Sequence, residues 1–125
     1  MIVDQIRMNI KPGTVIPKPK TTDHTVKGWG KRRDQDALIY RMPNHSNPSK
    51  PGEKGITSSE FSAAYDQLSK TGSFTYEWFE KTLKECKKEG SCNFTTIGGI
   101  FKLLGKAEYK KQRTYVRISN GERNP

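Results

Sequence analysis

The chain reads as an α+β protein, with a small β-rich N-terminal segment ahead of a three-helix domain that ends in a C-terminal β-hairpin. Three features carry that expectation. Before residue 43 apolar side chains alternate with polar ones or form short strand-type runs, and from residue 57 to 104 they recur at i, i+3, i+4 and i+7. Strand-forming residues then return on both sides of a basic turn at 110–113. The boundaries follow as 1–42 for the β-rich segment, 43–55 for a linker, 56–118 for the helical domain with its hairpin, and 119–125 for a flexible tail.

Residues 5–10, QIRMNI, place Ile6, Met8 and Ile10 on one side of a strand. The stretch KPGTVIPKPKTTD holds three prolines and reads as extended, with an edge strand over Thr14 to Ile16. Two short strands are expected in TVKGWGKRRDQDALIYRM, residues 25–42, around a polar turn at Arg33 to Gln35. Trp29, between Gly28 and Gly30, either anchors the core or stacks on an unpaired base while Lys27, Lys31, Arg32 and Arg33 hold the backbone. PNHSNPSKPGEKG, rich in Pro, Asn, Ser and Gly, is the linker.

Thr57 and Glu60 have the spacing of a capping box, and Phe61, Ala64, Tyr65 and Leu68 form the stripe of the first helix before Gly72 ends it. A second helix starts at Thr75, with Glu77 in its first turn, an apolar side of Trp78, Phe79, Leu83 and Cys86, and lysines at its C-terminal end before Gly90. The third begins near Thr95, with Ile97, Ile100, Phe101 and Leu104 inward, and stops at Gly105. Strands over Glu108 to Lys110 and Thr114 to Ile118 flank the KKQR turn.

Charge is the most informative bulk property: 23 Lys plus Arg oppose 13 Asp plus Glu, a formal +10. The excess lies on the flanks, since residues 56–99 carry five basic and six acidic side chains. A polyanion is the partner that such flanks suit, because each cation near a phosphate releases condensed counterion. The inward stripe of the third helix leaves Thr95, Thr96, Gly98, Gly99 and Lys102 on its other side, where no acidic residue repels phosphate. Each glycine costs about 1 kcal/mol of helix propensity. Two in succession imply close approach by nucleic-acid backbone, close packing by the second helix, or a break in the helix. At the hairpin tip, Lys110, Lys111 and Arg113 are placed for phosphate contact, with Lys106, Gln112 and Arg117 nearby.

The order helix, short connection, helix, turn, helix, basic hairpin resembles that of winged helix-turn-helix DNA-binding domains. The resemblance covers residues 56–118, about half of the chain, and rests on element order and capped helix lengths. It implies a third helix in the major groove of duplex DNA, a second helix bracing it, and a wing on phosphates or in the minor groove.

Other chemistry is less supported. Glu108 and Lys110 have the spacing of a metal-dependent nuclease strand, with Asp34 and Asp36 as the acidic residues that could complete it. No phosphate-binding loop, dinucleotide fingerprint or serine elbow is present, so no catalytic residue, metal ligand or cofactor is assigned. Cys86 and Cys92 read as reduced structural thiols. With no apolar run of membrane-spanning length, a soluble, cytoplasmic or DNA-associated protein is expected. RNA binding, an adaptor role towards an acidic protein, and homodimerisation remain the alternatives.

Overall fold

Backbone hydrogen bonding over residues 1–118, the part of the chain that a computed structural model describes, resolves into five helices and two three-stranded antiparallel sheets. The expected tail at 119–125 lies outside those residues. Helix α1 (Ile2–Asn9) occupies the stretch expected as a strand. Ile2, Ile6 and Ile10 satisfy a spacing of four as well as of two, and their burial, with Met8 left 71 % exposed, selects the helical alternative. The proline-rich segment is extended and makes one isolated bridge, Val15 to Thr25, in place of an edge strand.

Strands β1 (Thr25–Arg32) and β2 (Gln35–Met42) form the expected hairpin. Its two-residue turn puts Arg33 and Asp34 at φ 51° and 61°, the left-handed pair that matches the twist of the flanking strands. Strand β3 (Gly52–Thr57) pairs with β2, so the end of the expected linker is a third strand, and the first sheet has the order β1-β2-β3. Trp29 packs against the core and lies under the Arg7 guanidinium, 3.9 Å from its ring centroid.

Helix α2 (Ser58–Thr71) starts at the Thr57–Glu60 capping box and stops at Gly72, whose φ of 87° suits a residue without Cβ. Strand β4 (Ser73–Thr75) follows, and the expected second helix is two: α3 (Tyr76–Thr82), capped by Thr75, and α4 (Lys84–Glu89), separated at Leu83. Helix α5 (Asn93–Leu103) leads into β5 (Ala107–Lys111) and β6 (Thr114–Arg117). Strand β4 pairs with β6, giving a second sheet of order β4-β6-β5.

The expected architecture, a three-helix winged-helix-like domain with a C-terminal hairpin behind a small β-rich segment, is therefore corrected. A complete sheet precedes α2, and the final hairpin belongs to a second sheet that recruits β4. One hydrophobic cluster joins Ile6, Val26, Leu38 and Ile56 of the first half to Phe74, Phe94, Phe101 and Tyr115 of the second.

Helix α5 is the axis of that cluster. Only Lys102 and Leu103 are exposed along it, and Thr95 is half-buried. The two glycines are where two other elements press against it. A Cβ on Gly98 would stand 2.2 Å from the Tyr115 ring, and one on Gly99 would stand 2.5 Å from the Pro17 carbonyl oxygen. Burial of Tyr115 and of the Ile16–Pro17 strap against bare backbone offsets the lost helix propensity. Gly98→Ala should lower stability by about 1–3 kcal/mol or more in a urea melt, because the ring must move. Lys102→Ala on the exposed side should stay within about 0.5 kcal/mol.

Candidate functional site

The residues expected to meet DNA fall into three groups. Thr96, Gly98 and Gly99 are buried, so the groove-facing surface expected of the third helix is corrected: the two glycines face β6 and the N-terminal strap, and the Thr96 hydroxyl donates to the Cys92 carbonyl. The 3.6-residue stripe predicts one buried side, whereas α5 is enclosed on nearly all sides. Lys102 is exposed near the C-terminal end of α5.

Lys31, Arg32 and Arg33 form the second group. Lys31 Nζ lies 2.6 Å from an Asp36 carboxylate oxygen, and Asp36 also receives Arg7 at 3.1 Å. Arg33 forks onto Glu60 with two bonds of 2.8 Å, donates to Glu89 at 2.7 Å and to the Gly55 carbonyl at 2.9 Å. Arg32 Nε donates to the other Glu89 oxygen at 3.0 Å. The concavity at this turn, lined by Lys31 to Asp34, is thus a structural knot that ties β1, β3, α2 and α4 together. Its cations are already neutralised by carboxylates.

The third group defines a site. Lys110, Lys111 and Arg113 are exposed at the β5–β6 turn, where Arg113 adopts φ 59° and its backbone N–H donates to the Tyr109 hydroxyl at 2.8 Å. Its guanidinium stacks 4.5 Å from the Tyr76 ring centroid. Facing this turn across the start of α5 is the strap, with Lys18, Lys20 and His24. Between them lies a cleft of about 330 Å³. It continues past Cys92, Thr95, Tyr109 and Arg113 into a hollow of about 230 Å³ lined also by Tyr76 and Phe94.

Lys18, Lys20 and Arg113 line this cleft, and among the described residues no carboxylate does. Lys18 Nζ donates to the Cys92 carbonyl at 3.0 Å and lies 5.3 Å from the Tyr40 ring centroid. Burial pulls its pKa down to about 8 against the raising influence of Cys92 and Asp23. Burial, then the Lys18 charge, likewise holds His24 below its ordinary value, so the ring is neutral at pH 7 and stacks on Tyr40 at 5.9 Å. Asp23 stands outside the lining, bonded to Thr21 and 3.7 Å from His24. Among the described residues, no carboxylate forms an ion pair with Lys18, Lys20, Lys110, Lys111 or Arg113.

Both cysteines are free. Burial, then the Glu60 charge, raises the Cys86 thiol, while Cys92 Sγ lies 3.2 Å from the Tyr40 hydroxyl. The nuclease arrangement does not assemble: Glu108 is on the second sheet and Asp36 on the first, with Asp34 in the first sheet's turn. Among the described residues no three His, Cys, Asp or Glu side chains gather as a metal site, and no helix is long and apolar enough to cross a membrane.

Sequence reasoning missed Lys18, Lys20, Tyr76 and Tyr109. The strap lysines sit among prolines, which signal only an extended chain, and their place beside α5 depends on the contact at Gly99.

The knot at Arg33 has a measurable acid dependence. Burial pushes the Glu60 carboxyl up, but hydrogen bonds from Arg33 and the Thr57 N–H, with the Arg33 charge, outweigh it and hold the pKa below its ordinary value. A depressed folded-state pKa stabilises fully above the unfolded value of about 4.3, and that contribution is lost as pH falls through the folded one. Glu60→Gln should flatten the acid limb of a stability–pH curve. At pH 7 it should cost about 2–3 kcal/mol, less than the ~3–5 of a fully buried pair, because the Arg33 side chain keeps 22 % of its exposure.

No family model, curated protein or solved structure matches this chain.

Proposed function

We propose that the protein binds nucleic acid, with duplex DNA as the partner, through the cations of the β5–β6 turn and the strap beside it. One observation carries this reading. Elsewhere many cations have carboxylate partners and others, such as Lys84, Lys88 and Lys102, stand apart on α4 and α5, whereas Lys18, Lys20, Lys110, Lys111 and Arg113 gather at one cleft or its adjoining turn with no such partner among the described residues. Unpaired lysines and arginines are the groups whose neutralisation by phosphate releases counterions, because a cation already held by a carboxylate must first lose that partner.

Kinship with winged helix-turn-helix domains is proposed for residues 56–118 alone, where α2, α3–α4, α5 and the β5–β6 hairpin follow one another in that order; the first sheet lies outside it. The mode of contact differs from that implied by the resemblance. A buried α5 offers no row of side chains to base edges, so contacts through the turn favour the phosphate backbone, and little sequence preference follows.

Duplex affinity should fall steeply with salt. Replacing Lys110, Lys111 and Arg113 together by Ala should reduce the slope of log K against log salt by about 2–3, one unit for each lost phosphate contact. Replacing Lys31 by Ala should leave that slope nearly unchanged, since Asp36 already holds its charge. Fluorescence anisotropy of a labelled duplex across a salt series measures both, with an RNA duplex and an acidic polypeptide as competitors. Equal slopes for the parent and the triple variant would remove the turn from the interface.

A further inference from the structure

We propose that the cleft between residues 18–24 and the β5–β6 turn seats the phosphoryl group of a nucleotide, with Lys18 and Arg113 as its cationic walls and Tyr109 as a surface for the base. The group has two possible sources, a free mononucleotide or the phosphorylated end of a strand. Only the second rests on the nucleic-acid reading above.

Size is the first argument. About 330 Å³ is at the lower end of small-ligand sites, roughly 300–1,000 Å³. A duplex can lie across the mouth of such a space but not inside it, and a phosphodiester within a strand must thread chain through both sides of it. A terminal phosphate monoester enters from one side and brings up to two negative charges.

The second argument is the donor inventory. Lys18 carries three N–H donors, of which the Cys92 carbonyl takes one at 3.0 Å. Arg113 projects a planar fork suited to phosphate oxygens, and its turn is held by the bond from its own N–H to Tyr109. Thr95, at the start of α5, lines the space between them. A half-buried amine with no carboxylate partner among the described residues is an unfavourable arrangement unless an anion visits it, and the depressed pKa of Lys18 expresses that cost.

Tyr109 supplies the third. It lines both hollows and rests edge-on against Tyr115 at 5.1 Å and 72°, so its ring is braced by the core while one side borders the cleft. Stacking of a base on an aromatic ring is tolerant of base identity. The site therefore selects for a phosphate joined to a planar ring and against either alone.

The experiment uses the full chain with 5′-AMP, adenosine and inorganic phosphate, followed by amide NMR shifts and calorimetry. A DNA hairpin duplex carrying either a 5′-phosphate or a 5′-hydroxyl is titrated in parallel. AMP should bind saturably and at least about tenfold more tightly than adenosine or phosphate. Lys18→Met and Arg113→Asn should each weaken it about tenfold. Asn tolerates the left-handed backbone at 113, so this variant keeps the turn, and it decides the matter should Lys18→Met fail to fold.

AMP binding with no preference for a phosphorylated duplex end supports the site and assigns the free nucleotide. A preference of at least about fivefold for the 5′-phosphate, lost in Arg113→Asn, supports it and assigns the strand end. The inference is overturned if AMP and the 5′-phosphate both make no difference, or if AMP binds Arg113→Asn as it binds the parent. Duplex binding that persists in those cases leaves the phosphate-backbone reading standing, and its loss with AMP binding intact removes that reading alone.

Discussion

Two missing Cβ atoms organise this molecule. At Gly98 the ring of Tyr115 lies against the backbone of α5, and at Gly99 the Pro17 carbonyl and Ile16 reach the same helix. A methyl group at either position overlaps its neighbour, so the second sheet and the strap approach α5 only because both positions are bare. The close approach has a polar cost as well. The Tyr115 hydroxyl is buried with no hydrogen-bond partner among the described residues, a penalty that the surrounding aromatic packing of Phe74, Phe94 and Tyr109 must offset.

The cleft is a consequence of these contacts. The strap carries Lys18 and Lys20, β5 and β6 carry Tyr109 and Arg113, and α5 supplies Thr95 between them. Cations that face the knot at Glu60 and Glu89 do a different job, joining the first sheet to α2 and α4. Net charge therefore overstates the surface open to a polyanion. The distinction rests on which cations have carboxylate neighbours, and only coordinates supply it.

Local signals in the sequence were legible where local chemistry decides. The Thr57–Glu60 box, the stop at Gly72, the β1–β2 turn at Arg33 and the basic β5–β6 turn all depend on residues within a few positions of one another. Long-range packing decided the rest. Ile2, Ile6 and Ile10 fit a strand or a helix equally until something covers them, and Leu83 interrupts a helix whose charge pattern continues through it. Of the expected contact residues, Lys110, Lys111 and Arg113 lie at the free surface, because lysines at a tight turn have nowhere else to go. The glycine pair signals close approach, yet what approaches is neither nucleic acid nor the second helix but Tyr115 on one side and Pro17 on the other. No spacing rule names partners 17 and 82 residues distant.

Backbone amide shifts during titration with a short duplex test the location of the interface most directly. Perturbations confined to residues 18–24, 91–95 and 109–113, with Lys31 to Arg33 and Lys102 unmoved, are the predicted result. Shifts concentrated at the β1–β2 turn or the C-terminal end of α5, or none at a saturating duplex concentration, would contradict the account.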